Sequence, residues 1–117
     1  MHQFDFQKLA VYKKAKLFQI GCKKIYLERK PENFIRDQLG RASFSIILNI
    51  AEGSGKFTKA DRKKYFVTAR GSVFECTAVL DMLCDSDFIS RDELEELVGI
   101  ADEISRILYT IIKNLSD

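Results

Sequence analysis

The chain has 117 residues and a mass of 13.5 kDa, the size of one domain spanning 1–117. With 46% hydrophobic and 31% charged residues it carries enough apolar side chain to exclude intrinsic disorder, and no apolar run approaches the roughly 20 residues of a membrane span. The net charge of +2 hides a split: residues 1–70 hold 16 Lys/Arg against 6 Asp/Glu, and residues 71–117 hold 3 against 11. Such a split reads either as a basic face for a polyanion or as acidic and basic helices lying side by side.

Helical periodicity runs through nearly the whole chain. The first segment is read as a helix over residues 5–29, with Asp5 as N-cap and Phe4 placed for a staple-like contact. Val11, Ala15, Phe18, Cys22 and Ile25 recur on one face, and Leu9, Ile20 and Leu27 form a second stripe. Pro31 ends the segment, because the residue before a proline avoids helical geometry. The second helix is expected over residues 34–52, closed by Gly53-Ser54-Gly55 with a glycine in a left-handed cap.

The third helix opens at Thr58, with Asp61 completing a capping-box-like pair. Phe66, Ala69, Val73, Cys76, Leu80 and Leu83 then follow heptad spacing. The fourth opens at Ser90 with Glu93 in the same arrangement, and Leu94, Leu97, Ala101, Ile104, Leu108, Ile111 and Leu115 continue it. Short connections make sequential helices antiparallel neighbours. The expected fold is all-α, an antiparallel up-down four-helix bundle.

Two helices carry more apolar surface than one bundle needs. Val98, Ile100, Ile107 and Ile112 widen the arc of the fourth to about half the circumference, and the first has two stripes. The surplus is either a broad core-facing surface or a face that packs against other subunits; self-association is the expectation.

The second helix bears a polar seam. Gln38, Arg41, Ser45, Asn49 and Glu52 fall within an arc of about 80° on an otherwise apolar or small stretch. Thr68, Ser72 and Glu75 on the third helix are candidate partners, pairing Arg41 with Glu75 or Glu52 and Asn49 with Ser72. Three readings stand: a buried structural network, a solvated face, or the lining of a groove that holds a ligand.

Catalytic chemistry finds little support. AEGSGKFTK has glycines and a lysine, but Phe57 follows Lys56 and a helix precedes, so it is no phosphate loop. His2 is the only histidine, which leaves no His-based triad and no Glu-x-x-His metal pair. Cys22, Cys76 and Cys84 form no Cys-x-x-Cys pair. An odd cysteine count without a secretory signal points to a reducing cytoplasm and to no disulfide framework; with no tightly spaced ligand set no metal is expected, and no cofactor. What remains is basic: Lys13, Lys14, Lys16, Lys23, Lys24, Arg29 and Lys30 on the first helix, and Lys59, Arg62, Lys63 and Lys64 opening the third. These suit phosphates, and Tyr12, Tyr26 and Tyr65 among them suit stacking on unpaired bases; the plainer alternative is a solvated face with tyrosines anchored in the core.

RASFSIILNIAEGSGK, residues 41–56, resembles the hallmark of a bacterial four-helix-bundle family named for proteins encoded in intervening sequences of 23S ribosomal RNA genes. Its pattern runs Q-x-x-R-A-x-x-S-I-x-x-N-I-A-E-G and then A-x-G-S-x-x-E. Gln38, Arg41, Ala42, Ser45, Ile46, Asn49, Ile50, Ala51, Glu52 and Gly53 match the first part, and Ala69, Gly71, Ser72 and Glu75 the second. The opening FQKLAVYKKA is similar too, with Tyr12 where an aromatic is usual. The resemblance implies an up-down bundle assembled as a homopentameric ring. It also implies kinship with retroelement accessory proteins that bind nucleic acid and partner a reverse transcriptase. No catalytic residues come with it. The expectation is a cytoplasmic, non-enzymatic homo-oligomer, a pentamer, that binds RNA or DNA and contacts no membrane. The alternative is a scaffold whose basic face recruits a protein partner.

Overall fold

The computed structural model describes residues 2–116, and among them there are four helices and no strand. They are α1 (Ala10–Lys23), α2 (Asn33–Ser54), α3 (Lys59–Asp85) and α4 (Arg91–Asn114). Each packs on the next, and α4 returns to pack on α1. At 27 residues, α3 is about 40 Å long, and it sets the 44 Å long axis of the molecule.

The first segment is not one helix. The Phe4 amide donates to the Gln7 side-chain oxygen at 2.8 Å, closing a 3-10 turn over Asp5–Lys8. Phe4 therefore takes the capping position expected of Asp5, and its ring meets Phe6 edge-on rather than a residue of α1. Leu9 is extended, and α1 begins only after it. From Lys24 the winding loosens into a π-helical stretch, Lys24–Arg29, which still buries Ile25. Lys30 stops it in the left-handed region, at φ 49°. The ring of Pro31 excludes right-handed helical geometry at that residue.

α2 runs one residue earlier and two later than expected. Gly53 lies inside it, buried against Tyr65 and Phe66, and a Cβ there would stand 2.9 Å from Tyr65 Cβ. The glycine serves close packing of α2 on α3, and Gly55 closes α2 with an ordinary φ of −90° instead of a left-handed cap. At α3 only half of the capping box forms: Thr58 Oγ1 accepts from the Asp61 amide. At α4 both halves form between Ser90 and Glu93.

The core joins the stripes the sequence marks on α1, α3 and α4 to a face of α2 that it does not mark. Phe18, Leu39, Ile46, Ile50, Leu80, Ile104 and Leu108 are fully buried at its centre. The wide arc of α4 is absorbed here too: Val98, Ile100, Ile107 and Ile112 pack half-buried against this core. The surplus apolar surface lies elsewhere. On and beside α1 it is Leu9 just before the helix, Leu17 and Ile20 within it and Leu27 in the π-helical stretch, and on α2 it is Phe34, Phe44 and Leu48. α2 is therefore not the almost wholly buried helix its composition suggests.

Candidate functional site

The polar seam forms at the junction of α2 and α3. Ser45 Oγ accepts from Ser72 Oγ at 3.0 Å and from Asn49 Nδ2 at 3.0 Å. Asn49 Nδ2 also donates to the Ser45 carbonyl at 2.8 Å, and Gln38 Nε2 donates to the Glu75 carboxylate. Ser72 is buried, and Ser45 and Asn49 are half-buried. The seam is thus a network at its centre and a solvated edge at its rim.

None of the expected pairs, Arg41 with Glu75 or Glu52 and Asn49 with Ser72, forms directly; Asn49 and Ser72 meet only through Ser45 Oγ, which accepts from both. Arg41 makes no bond to Glu75 and lines a shallow cleft with Tyr26, Leu27 and Arg36. Glu52 faces Lys56 at 3.8 Å. Thr68 turns back on its own helix, donating to the Lys64 carbonyl. Arg41 sits about 80° from Asn49 on the wheel, at the edge of the arc and farthest from α3. Its length let the sequence reading reach further than the backbone allows.

The basic candidates separate into two groups. Lys14 meets Glu103 at 2.6 Å and Arg70 Nε donates to the Ser105 carbonyl, so these stretches of α1, α3 and α4 lie level with one another. Beyond that level stand Lys59, Arg62, Lys63 and Lys64. Lys23, Lys24, Arg29 and Lys30 lie toward the other end of α1, where Arg29 meets Glu93 at 2.6 Å, donates to the Phe88 carbonyl and stacks on the Phe88 ring. That end also holds Asp81, Asp85, Asp87, Asp92, Glu95 and Glu96. Lys14 and Arg29 therefore act as bridges between a basic α1 and an acidic α4, which is the side-by-side reading of the charge split. Among the described residues, Lys13, Lys23, Lys24, Lys30, Lys59 and Lys63 make no ion pair.

The charges of α3 run against its helix dipole. Lys59, Arg62, Lys63 and Lys64 crowd its N-terminal turns, with only Asp61 of favourable sign, and Asp81 and Asp85 sit in its last turns. Aligned peptide dipoles favour the reverse order by about 0.3–1 kcal/mol per charge. α4 obeys that rule, with Asp92 and Glu93 first and Lys113 last. The basic cluster on α3 therefore costs helix stability. Lys56 joins it from the turn, its ammonium 5.1 Å from the centre of the Tyr65 ring, and Arg62 Nε donates to the Lys56 carbonyl.

The three tyrosines among the lysines are engaged. Tyr12 packs edge-on against Phe6 with Lys16 over its face, Tyr26 accepts a bond from Gln19, and Tyr65 lies against Gly53. Cys22 and Cys76 touch in the core; the Cys76 thiol and burial both push the Cys22 thiol far above its ordinary value. Among the described residues no three His, Cys, Asp or Glu side chains converge to hold a metal, and no helix is long and apolar enough to cross a membrane.

One surface escaped the sequence reading. Val67, Phe74 and Met82 of α3 are about half exposed or more, on the side opposite its heptad stripe. Spacings of seven and eight were the available signal, masked by the stronger stripe. Gly71 and Ala78 share that face.

Comparison with known proteins agrees with this architecture. A family model described as 23S rRNA-intervening sequence protein matches residues 7–110. Among solved structures, the chain is similar to a protein of unknown function from the S23 ribosomal protein family of Bacteroides thetaiotaomicron. The TM-score is 0.81 at 26% identity, over 89% of this chain and 99% of that one. No curated protein matches the chain.

Proposed function

The chain belongs to the 23S rRNA-intervening sequence protein family, and from that premise we propose that it is a non-enzymatic, cytoplasmic nucleic-acid-binding protein. It works without a cofactor, as a homo-oligomeric ring of five up-down bundles. The observation that carries this reading is the cluster of Lys56, Lys59, Arg62, Lys63 and Lys64. It gathers cations at the helix end where they cost stability, which phosphate contacts would offset. A ring repeats the cluster once per subunit, so several weak contacts to one RNA or DNA add by effective concentration. Seated tyrosines favour backbone contacts over base stacking.

The test is binding of a labelled structured RNA and a labelled duplex DNA across a salt series. Micromolar or tighter binding is expected, weakening with a log–log slope of about −0.7 to −0.9 per phosphate contacted. Lys63→Glu with Lys64→Glu removes most of it, and Lys23→Glu with Lys30→Glu, beside the acidic end, removes little. No binding at about 50 mM salt would overturn the reading. It would leave the same cluster as a docking face for an acidic protein partner, the scaffold alternative.

A further inference from the structure

We infer that the groove between α3 and α4 is the seat for α1 of a second copy of this chain. The inference rests on the assembly part of the proposed function and names the surfaces that join. The groove holds about 810 Å³ and is floored by Val73, Leu94, Val98 and Ala101, with Phe74 along one edge. Its charged residues are Asp81, Glu95 and Asp102 against a single Arg91.

α1 offers the complement. The outward stripe along it is apolar at Leu17 and Ile20, extended by Leu9 before the helix and Leu27 in the π-helical stretch, each 39–56% exposed, and flanked by Lys13, Lys16 and Lys24. Ala10–Lys23 contains no acidic residue. Its 14 residues span about 21 Å, which matches the run of α4 from Arg91 to Ser105 along the groove. An acidic apolar groove and a basic apolar ridge whose helical part matches it in length thus belong to one molecule.

Two further features fit a helix lying there. Gly99 lines the groove and Gly71 stands on the adjoining face of α3; a Cβ at either meets nothing within 4 Å. Neither glycine serves packing inside the chain, and each weakens its helix; a backbone approaching from outside gives both a use. Beside them Arg70 is clamped between the rings of Phe74 and Tyr109, at 4.8 and 5.5 Å from their centres. Rigid arginine and aromatic groups of this kind dominate interface energetics. Because ridge and groove are different surfaces, the contact is heterologous and propagates from copy to copy until it closes.

The test is mass by light scattering, with helicity by circular dichroism as the folding control. Gly99→Leu and Gly71→Leu each replace a helix-weakening residue at an open position. Both variants are expected to keep full helicity, and Gly99→Leu to fall to 13.5 kDa. Reversing Asp81, Glu95 and Asp102 to Lys, or Lys13, Lys16 and Lys24 to Glu, is expected to dissociate the assembly, and the chain carrying both sets to reassemble. A wild type that is itself a 13.5 kDa species overturns the assembly reading and this inference with it. An assembled wild type whose Gly99→Leu and charge-reversed variants keep their mass overturns this assignment alone. Variants that dissociate without rescue in the combined chain overturn α1 as the occupant.

Discussion

Ser72 Oγ donates to Ser45 Oγ at 3.0 Å across the contact of α2 and α3, and Ser45 takes a second bond from Asn49. Ser45 is the shared acceptor, so Ser45→Ala removes both bonds and leaves the buried Ser72 hydroxyl unpaired. A loss of about 1–3 kcal/mol in urea unfolding is expected. Asn49→Leu costs less, because Ser72 keeps its partner. A neutral Ser45→Ala would show that water serves the seam and that it is a solvated edge throughout.

Gly40 and Gly53 occupy the same helix and should respond oppositely to alanine. At Gly40 a Cβ meets the Tyr26 ring at 3.6 Å, an ordinary contact, so Gly40→Ala gains about 0.5–1 kcal/mol of helix propensity. At Gly53 it meets Tyr65 Cβ at 2.9 Å and the Arg62 carbonyl at 3.4 Å. Gly53→Ala must push α3 away, and a net loss of about 1–3 kcal/mol is expected. Thermal melts of the two variants against the wild type decide it; a gain at both would mean that the α2–α3 contact yields freely.

Gly53 also shows how far the residues alone could be read. Helical spacing located the buried faces of α1, α3 and α4, because period and burial share one cause, whereas on α2 it marked the polar seam and not the buried face of Leu39, Ile46 and Ile50. A glycine after an apolar run reads as a stop signal, yet the contact that requires Gly53 comes from Tyr65, across a turn. The break at Leu9 and the loosened winding at Lys24–Arg29 likewise fall where the apolar period runs on without interruption, so the period alone does not mark them. For the basic residues the sequence supplied the inventory but not the grouping. Whether Arg29 faces a phosphate or Glu93 depends on α4, 62 residues on at its first member, Arg91.

Cys22 and Cys76 lie fully buried against each other, with the Cys22 thiol held protonated by its neighbour and by burial. Both should resist alkylation in the folded protein and react only on unfolding, whereas half-buried Cys84 reacts first. Mass spectrometry after timed iodoacetamide treatment resolves the order. Early modification of Cys22 would show that the core opens on the time scale of the reagent.

The start of α4 should govern the response to acid. The Ser90 backbone N–H first, and then the Arg29 guanidinium, hold the Glu93 carboxyl below its ordinary value of 4.5. A carboxyl whose folded value is depressed adds stability above its unfolded value, and that stability is lost as pH falls through the folded one. Wild-type stability should therefore decline below pH 4.5 as the capping box and the bridge to Arg29 lose their charge. Glu93→Gln keeps a capping side chain that does not titrate, so its stability curve should be flatter in that range. Ser90→Ala removes the other half of the box and costs about 1 kcal/mol at neutral pH. Denaturant midpoints measured from pH 7 to pH 3 test both. Parallel curves for wild type and Glu93→Gln would place the acid sensitivity on other carboxylates.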